Sequence, residues 1–152
     1  MPVRITREVQ LDAGHRIPGH RGPCCNVHGH RYRIGVTVEG ALVEEPGHSD
    51  EGMVMDFGEL KRLMMEHIHA PLDHGFMAWR GDDRLVAFLQ AENYRLIVMD
   101  DIPTGENLAR WCFDRLLEPL MLTYGDRLKL VSVTVWETPN NCAVYTPITS
   151  SG

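Results

Sequence analysis

Two stretches near the N-terminus alternate apolar and polar residues, which is the pattern of half-buried β-strands. In the first stretch, from Val3 to Ala13, the apolar residues occupy odd positions apart from Arg7. In the second stretch the apolar residues occupy even positions, at Tyr32, Ile34, Val36 and Val38. His15 keeps the parity of the first stretch, and His28 and His30 keep that of the second. The sequence therefore predicts two strands that carry three imidazoles on their apolar faces.

Apolar residues then recur with helical spacing in two segments. Asp56 is placed to cap the first helix, which is predicted to end at Pro71. Its apolar stripe consists of Phe57, Leu60, Met64 and Ile68. Thr104 is placed to cap the second helix, which is predicted to end near Pro119. The residues that this helix buries are Leu108, Trp111, Cys112 and Leu116.

The remaining elements define the fold class. A strand is predicted from Arg127 to Glu137, and after a turn at Asn140–Asn141 a shorter strand follows from Cys142 to Thr146. Val131, Val133 and Val135 share one face of the longer strand with Glu137. Between the helices, the segment Gly75–Asp101 contains a short predicted helix, Arg84–Glu92, and an apolar stretch, Leu96–Met99. The order strand, strand, helix, helix, strand, strand predicts an α+β fold with helices on one face of an antiparallel sheet.

Composition agrees with one domain over residues 1–152. A chain of 152 residues with 43% hydrophobic residues can bury a core without disulfides. Its four cysteines, two of them adjacent, form neither a disulfide framework nor a paired metal-binding motif. The N-terminal residues lack the continuous apolar run of a signal peptide or membrane span, so we expect a cytoplasmic location and no membrane partner.

The net charge of −6 and the lack of a basic run argue against a nucleic-acid partner. An anionic small substrate would instead need a local cluster of arginines. Four arginines lie close in sequence to the three histidines, although exposed, solvated side chains would account for them equally well. They are Arg16, Arg21, Arg31 and Arg33.

His28-Gly29-His30 is the strongest indication of chemistry, because side chains at positions i and i+2 of a strand point to the same side. A histidine pair with this spacing is weak support for a metal site when it stands alone. His15 strengthens it, since an imidazole without a partner on an apolar face is costly. Three neutral imidazoles suit Zn²⁺ and leave one tetrahedral position open, which is typical of a catalytic zinc site.

Two further motifs could supply acid–base chemistry. Cys24 and Cys25 precede His28 closely enough for a loop to bring a thiol near the metal, and the residues alone do not decide between the two cysteines. Leu72-Asp73-His74 places a carboxylate beside an imidazole, which is a plausible acid–base pair.

Taken together, the motifs resemble the 6-pyruvoyl-tetrahydropterin synthase / 6-carboxy-tetrahydropterin synthase family in order and spacing. The resemblance covers nearly the whole chain, and the combination is much more specific than any of its parts. The matching motifs are His15 in LDAGH, Cys24-x3-His28-Gly29-His30, Leu72-Asp73-His74, Pro103-Thr104-Gly105-Glu106-Asn107 and Trp136-Glu137-Thr138-Pro139-Asn140-Asn141.

This resemblance implies a tunnelling fold (T-fold), with a four-stranded antiparallel sheet, two main helices on one face, and trimers that stack into hexamers with active sites between subunits. It implies a Zn²⁺ cofactor bound by His15, His28 and His30. It also implies that Cys24 is the general base, that Asp73 and His74 relay protons, and that Glu137 anchors a pterin ring. Thr104 and Glu106 are expected at the edge of the substrate pocket.

Two departures from the family pattern concern Cys25, which adjoins the implied base, and the segment that follows His74. The family often continues from that point with a short turn containing asparagine. This chain has a longer insertion from Gly75 to Asp101, called the inserted segment below.

The three-residue gap between Cys24 and His28 resembles the carboxy branch of the family. That branch converts 7,8-dihydroneopterin triphosphate to 6-carboxy-5,6,7,8-tetrahydropterin, releasing acetaldehyde and triphosphate on the route to queuosine and other deazapurines. The pyruvoyl branch, which usually has a longer gap, is the first alternative. A non-catalytic pterin-binding assembly protein is the second, and intact Cys24, Asp73 and His74 argue against it.

Overall fold

A computed structural model describes residues 1–148, in which one mixed six-stranded sheet is covered by helices. The strands lie in the order β4-β3-β1-β2-β5-β6. A turn of π-helix, Met65–His69, joins the first two helices. The strands and helices are β1 (Val3–His15), β2 (His28–Gly40), α1 (Phe57–Met64), α2 (Ala70–Leu72), β3 (Gly75–Trp79), α3 (Asp83–Ala91), β4 (Leu96–Met99), α4 (Gly105–Tyr124), β5 (Leu128–Thr138) and β6 (Asn141–Tyr145).

The core lies between one face of the sheet and helices α1 and α4. Alternation along β1 and β2 places their apolar residues on that face, where Leu11, Tyr32 and Ile34 are almost completely buried. The helices contribute their apolar stripes, so Leu60 and Leu108 are also buried in this core. The two predicted strands and the two predicted main helices are therefore confirmed, and the parity that carries the histidines is the parity of the core.

The prediction of a four-stranded antiparallel sheet is wrong, because the inserted segment adds two strands. β3 pairs in parallel with the end of β1, from Ala13 to His15, and β4 pairs in parallel with β3. A parallel pair needs a crossover connection, which α3 supplies between β3 and β4. The short helix that the sequence predicts is thus present, and the apolar stretch after it is a strand.

The prediction of one domain spans residues 1–152, of which the last four lie outside the described residues, and it stays a prediction. Within residues 1–148, no helix is long and apolar enough to cross a membrane.

The first helical segment ends one residue after Pro71, close to its predicted end, whereas α4 continues five residues beyond Pro119, near which it was predicted to end. The helical segment that begins at Phe57 passes through the π turn and Pro71 to Leu72, and α4 passes through Pro119 to Tyr124. Pro71 has no N–H to donate, and the π turn before it widens the helix to i→i+5 bonds, as from Ala70 to Met65. Arg115 of α4 donates its Nε to the carbonyl of His67 in this turn at 2.7 Å. A bond from another helix thus holds the irregular end of this helical segment.

We expect Arg115→Met to destabilise the protein by about 1 to 2 kcal/mol, since it removes a charged donor from a carbonyl of the π turn. The comparison is thermal unfolding at one fixed protein concentration. Arg110→Met is the matched control, because Arg110 lies on the same helix in an exposed ion pair with Asp114 at 3.8 Å. Such exposed pairs contribute little. Equal unfolding temperatures for the two variants would contradict this role of Arg115.

Candidate active site

Three imidazoles converge where β1 ends and β2 begins. The two strands are antiparallel and in register, so that His15 lies opposite His28 and Gly14 lies opposite Gly29. His30 follows on the same face as His28 because side chains alternate along a strand. One ligating nitrogen from each of the three rings lies within 4.8 Å of the others, so the cluster could hold a metal ion. The predicted gathering of these three histidines is therefore present.

Hydrogen bonds to main-chain carbonyls orient two of these rings. His15 Nδ1 donates to the carbonyl of Pro103 and His28 Nδ1 donates to that of Asn26, each at 2.7 Å. Because a carbonyl oxygen only accepts, both Nδ1 atoms carry the proton and both Nε2 atoms present lone pairs. These Nε2 atoms lie 3.1 Å apart. Two ligands of one tetrahedral zinc would be about 3.3 Å apart, so the spacing is close to that of a loaded site.

Burial favours the neutral form of two of the three imidazoles, His15 and His30. His15 is 1% exposed, and its burial lowers the pKa to about 4. Burial also lowers the pKa of His30, against the opposing influence of the Glu137 carboxylate. A metal binds the neutral imidazole, so both shifts keep these rings ready to act as ligands at neutral pH.

Glu137 is the nearest carboxylate that the structure places beside the histidines. Its Oε1 lies 3.8 Å from His15 Nε2, and its side chain is about one-quarter exposed. It also lies against Gly105, the first residue of α4, where the positive end of the helix dipole favours a carboxylate. The predicted position of Glu137 on the face of β5 that carries Val133 and Val135 thus brings it to the cluster.

The Thr104 motif contacts the cluster through its main chain. Thr104 caps α4 as predicted, with its hydroxyl accepting from the N–H of Asn107 at 3.2 Å. Glu106 is exposed on the first turn of the helix. Pro103, the residue before the cap, supplies the carbonyl that orients His15. The sequence analysis missed this role, and the only signal for it is the position of Pro103 directly before the helix cap.

Asp73 and His74 form a second group, which lies beside Asp12 at the edge of β1 where β3 begins. Asp73 Oδ2 accepts from His74 Nδ1 at 2.7 Å, and Asp73 Oδ1 accepts from the N–H of Asp12 at 3.1 Å. These two bonds lower the pKa of Asp73. His74 has a φ of 59°, a left-handed conformation that is unfavourable for a residue other than glycine and is frequent at functional sites. Asp73 and His74 are therefore hydrogen-bonded to each other, and their acid–base role stays a prediction.

A cleft of about 460 Å³ adjoins this pair, and its lining includes Asp12, Arg31 and His74 together with His30. The side chains of Asp12 and Arg31 alternate with those of Ala13 and His30 along their strands, so they point away from the core. Within one chain, Asp73 and His74 thus lie beside Asp12, and His30 is the member of the histidine cluster that also borders the cleft.

Cys24 lies on a short 3₁₀ turn, Pro23–Cys25, which is called the cysteine turn below. Cys24 is exposed and Cys25 is partly buried. The main chain of the turn is tied to the end of β1, because the carbonyl of Cys24 accepts from the N–H of Ile17 at 2.8 Å. The turn therefore leads directly from the Ile17 region into the histidine strand β2.

Three of the four arginines near the histidines have carboxylate partners within the chain. Arg16 pairs with Asp82, Arg31 pairs with Asp12, and Arg33 pairs with Glu8. Arg21 is exposed. Within a single chain, these four residues therefore do not form the compact cluster that an anionic substrate would require.

The arrangement of the sheet and of the three imidazoles defines a class of protein that sequence comparison also identifies. The sequence model of the family described as 6-pyruvoyl tetrahydropterin synthase matches residues 4–147, and the chain belongs to this family.

Relatives with this similarity come from bacteria and archaea. The 6-carboxy-5,6,7,8-tetrahydropterin synthase of Haemophilus influenzae is 31% identical over 145 residues, which cover 93% of this chain and 97% of the relative. The Bacillus subtilis protein of the same name is 30% identical over 144 residues, covering 94% and 84%. A probable 6-carboxy-5,6,7,8-tetrahydropterin synthase of Halobacterium salinarum is 34% identical over 134 residues, covering 88% and 79%.

Solved structures share the fold. The 6-pyruvoyl tetrahydropterin synthase of Caenorhabditis elegans is 26% identical, with a TM-score of 0.68, and the match covers 97% of each chain. An uncharacterized protein from Wolinella succinogenes is 23% identical with a TM-score of 0.78, covering 96% of this chain and 98% of that one.

Proposed function

We propose that this chain is a zinc-dependent lyase that converts 7,8-dihydroneopterin triphosphate and one water to 6-carboxy-5,6,7,8-tetrahydropterin, with release of acetaldehyde and triphosphate. The observation that carries the proposal is the convergence of the His15, His28 and His30 nitrogens within 4.8 Å beside the Glu137 carboxylate. The names of the relatives from Haemophilus influenzae and Bacillus subtilis support the choice of reaction. The short gap between Cys24 and His28 supports it as well.

Zn²⁺ is the metal that this set of ligands suits best, since three imidazoles with one open position are typical of catalytic zinc. Zinc held here would polarise the side-chain oxygens of the substrate and make the neighbouring C–H groups more acidic. The carbonyls of Pro103 and Asn26 fix the tautomers of His15 and His28, and such partners raise the metal affinity of a histidine site.

The protein's own groups move the protons. Cys24 as a thiolate would remove a proton from the substrate side chain, and His74, held by Asp73, would return one elsewhere. Thr104 and Glu106, at the start of α4, would line the edge of the pocket. Glu137 would accept hydrogen bonds from the pterin amino group and a ring N–H.

A homo-oligomer, a trimer or a hexamer, would complete this site. His74 lies beside Asp12, whose side chain points away from the core, whereas His15 lies on the core face of β1, so His74 of one subunit would serve the histidine cluster of a neighbouring one. This placement supports active sites shared between subunits, and the small-molecule pterin triphosphate is the only substrate besides water that the proposal requires.

We expect Glu137→Gln to weaken the binding of a non-reacting pterin by about ten- to a hundredfold, because the amide keeps one acceptor oxygen but loses the other acceptor and the charge. Calorimetry on the zinc-loaded protein measures this directly. Glu39→Gln is the matched control, since Glu39 lies at the far end of β2 in a pair with Arg4. Unchanged affinity in Glu137→Gln would make Glu137 a structural carboxylate.

The product decides between the branches of the family. Incubation with 7,8-dihydroneopterin triphosphate should give acetaldehyde and a carboxylated tetrahydropterin in equal amounts, because proton removal leads to cleavage of a carbon–carbon bond in the retro-aldol sense. A hydrazine reagent traps the aldehyde and mass analysis identifies the pterin. A pterin that keeps all three side-chain carbons would show the pyruvoyl reaction instead. An unchanged substrate would favour a non-catalytic pterin-binding protein.

A further inference from the structure

Arg16 joins three parts of the structure that meet beside the histidine cluster. It follows His15 at the end of β1, and its Nη1 donates to both carboxylate oxygens of Asp82 at 3.0 and 2.9 Å. Its Nε donates to the carbonyl of Cys25 at 2.8 Å. The Arg16 and Asp82 side chains are only 28% and 11% exposed. One guanidinium thus connects the end of β1, the cysteine turn and the inserted segment.

Asp82 departs from its usual local role in order to make this contact. It occupies the N-cap position of α3, where an aspartate ordinarily accepts from the first main-chain N–H groups of the helix. Here its side chain makes no capping bond, and both carboxylate oxygens bind Arg16 instead. When an N-cap aspartate gives up its usual capping bond and makes a specific long-range contact instead, that contact is a candidate for a functional role.

Arg16 and its neighbour Ile17 hold the cysteine turn at two successive carbonyls. The main-chain N–H of Ile17 donates to Cys24, and Arg16 Nε donates to Cys25. The following residue, Asn26, donates its own N–H to Pro23 at 3.0 Å and presents its carbonyl to His28. The position of Cys24 relative to the histidines is therefore fixed by bonds on both sides of it.

We propose that Arg16 is a positioning residue that holds the Cys24 thiol at its working distance from the histidine cluster, and that Asp82 of the inserted segment locks Arg16 in place. This inference rests on the proposed function, in which Cys24 removes a proton. It assigns a role to the inserted segment, which supplies the anion of the clamp formed by Arg16, Asp82 and the Cys25 carbonyl. It also means that Arg16 does not bind the triphosphate of the substrate, because its charge is already paired with Asp82.

A positioning role and a substrate-binding role predict different kinetics. Loss of the clamp leaves the substrate contacts intact but lets the thiol move, so kcat should fall about ten- to a hundredfold while KM stays within about twofold. If Arg16 instead bound the triphosphate, KM would rise and kcat would be nearly unchanged.

The test uses two variants. Asp82→Asn keeps the shape of the side chain and removes its charge. Arg16→Lys keeps the positive charge but replaces the planar guanidinium, which can donate in two directions at once, with a single ammonium group. Asp100→Asn is the matched control, because Asp100 lies in the same inserted segment and forms a solvent-exposed ion pair with Arg80 at 2.8 Å. The double variant Arg16→Lys/Asp82→Asn should be no worse than either single one, since both changes break the same unit.

Amide hydrogen exchange measures whether the clamp holds the cysteine turn, and it requires no substrate. The amides of Ile17 and Asn26 should exchange about tenfold faster or more in Asp82→Asn and in Arg16→Lys, as expected when a hydrogen bond to a charged group is lost. Asp100→Asn should leave them unchanged, and all variants should retain the zinc content of the wild type. Unchanged exchange in both clamp variants would overturn the proposal.

Turnover of the pterin triphosphate by the same proteins completes the experiment. Faster exchange together with lower kcat at constant KM supports the proposal. Faster exchange with unchanged kcat, or a raised KM at constant kcat, overturns it. A wild-type protein that does not turn over the triphosphate would overturn the proposed function and the catalytic half of this inference, whereas the exchange data would still decide whether Arg16 and Asp82 hold the turn.

Discussion

The double variant His28→Ala/His30→Ala is expected to be purified without zinc, whereas the wild-type protein should carry close to one ion per chain. Loss of a single outer partner of a metal-bound histidine already costs about 10- to 100-fold in affinity, and this variant loses two of three ligands. Elemental analysis of the purified proteins measures the difference. Zinc should also raise the unfolding temperature of the wild type and not that of the variant, because only the folded wild type presents the site.

His20→Ala/His48→Ala is the matched control for this experiment. It removes the same two side-chain groups from exposed loop positions, and neither His20 nor His48 belongs to the cluster of His15, His28 and His30. The control should retain its zinc. Full zinc retention in His28→Ala/His30→Ala would contradict the assignment of the ligands.

The histidine cluster was predictable because it depends on local parity. A strand places every second side chain on one face, so His15, His28 and His30 had to share the face of Leu11 and Tyr32 once those strands formed. Glu137 followed in the same way from β5. Register between β1 and β2 was not visible in the sequence, and the opposition of His15 to His28 comes from the antiparallel pairing that the structure adds.

The elements that the sequence analysis misassigned depend on contacts from distant parts of the chain. β3 is a short strand whose pairing partner is the end of β1, some sixty residues earlier, and β4 in turn pairs with β3. The parity of β5 also changes along its length, because the register with β2 shifts between Thr37 and Val38. Leu130 is buried before the shift and Val133 after it, and no local pattern marks this bulge.

Two further features of the site could not be predicted from the sequence. They are the hydrogen bonds that main-chain carbonyls accept, and the position of each motif around the sheet. The carbonyls of Pro103 and Asn26 orient His15 and His28, and a carbonyl leaves no residue-type signal in a sequence. The placement of Asp73 and His74 beside Asp12 depends on where α2 meets β1. Sequence motifs therefore indicated which residues are candidates for the chemistry, and the structure was needed to show how they are distributed around the sheet.

Cys24→Ala is expected to lower kcat by about 10²- to 10⁴-fold, which is the usual contribution of a general base, while zinc content stays at the wild-type level. Cys25→Ala is the matched control, since it removes the same thiol one residue away. It should keep nearly full activity, because Cys25 takes part in the clamp through its main-chain carbonyl and that carbonyl survives the substitution. The exposure of Cys24 and the partial burial of Cys25 agree with this choice, since a base must reach the substrate. Turnover at saturating substrate compares the two variants, and an active Cys24→Ala beside an inactive Cys25→Ala would transfer the role of base to Cys25.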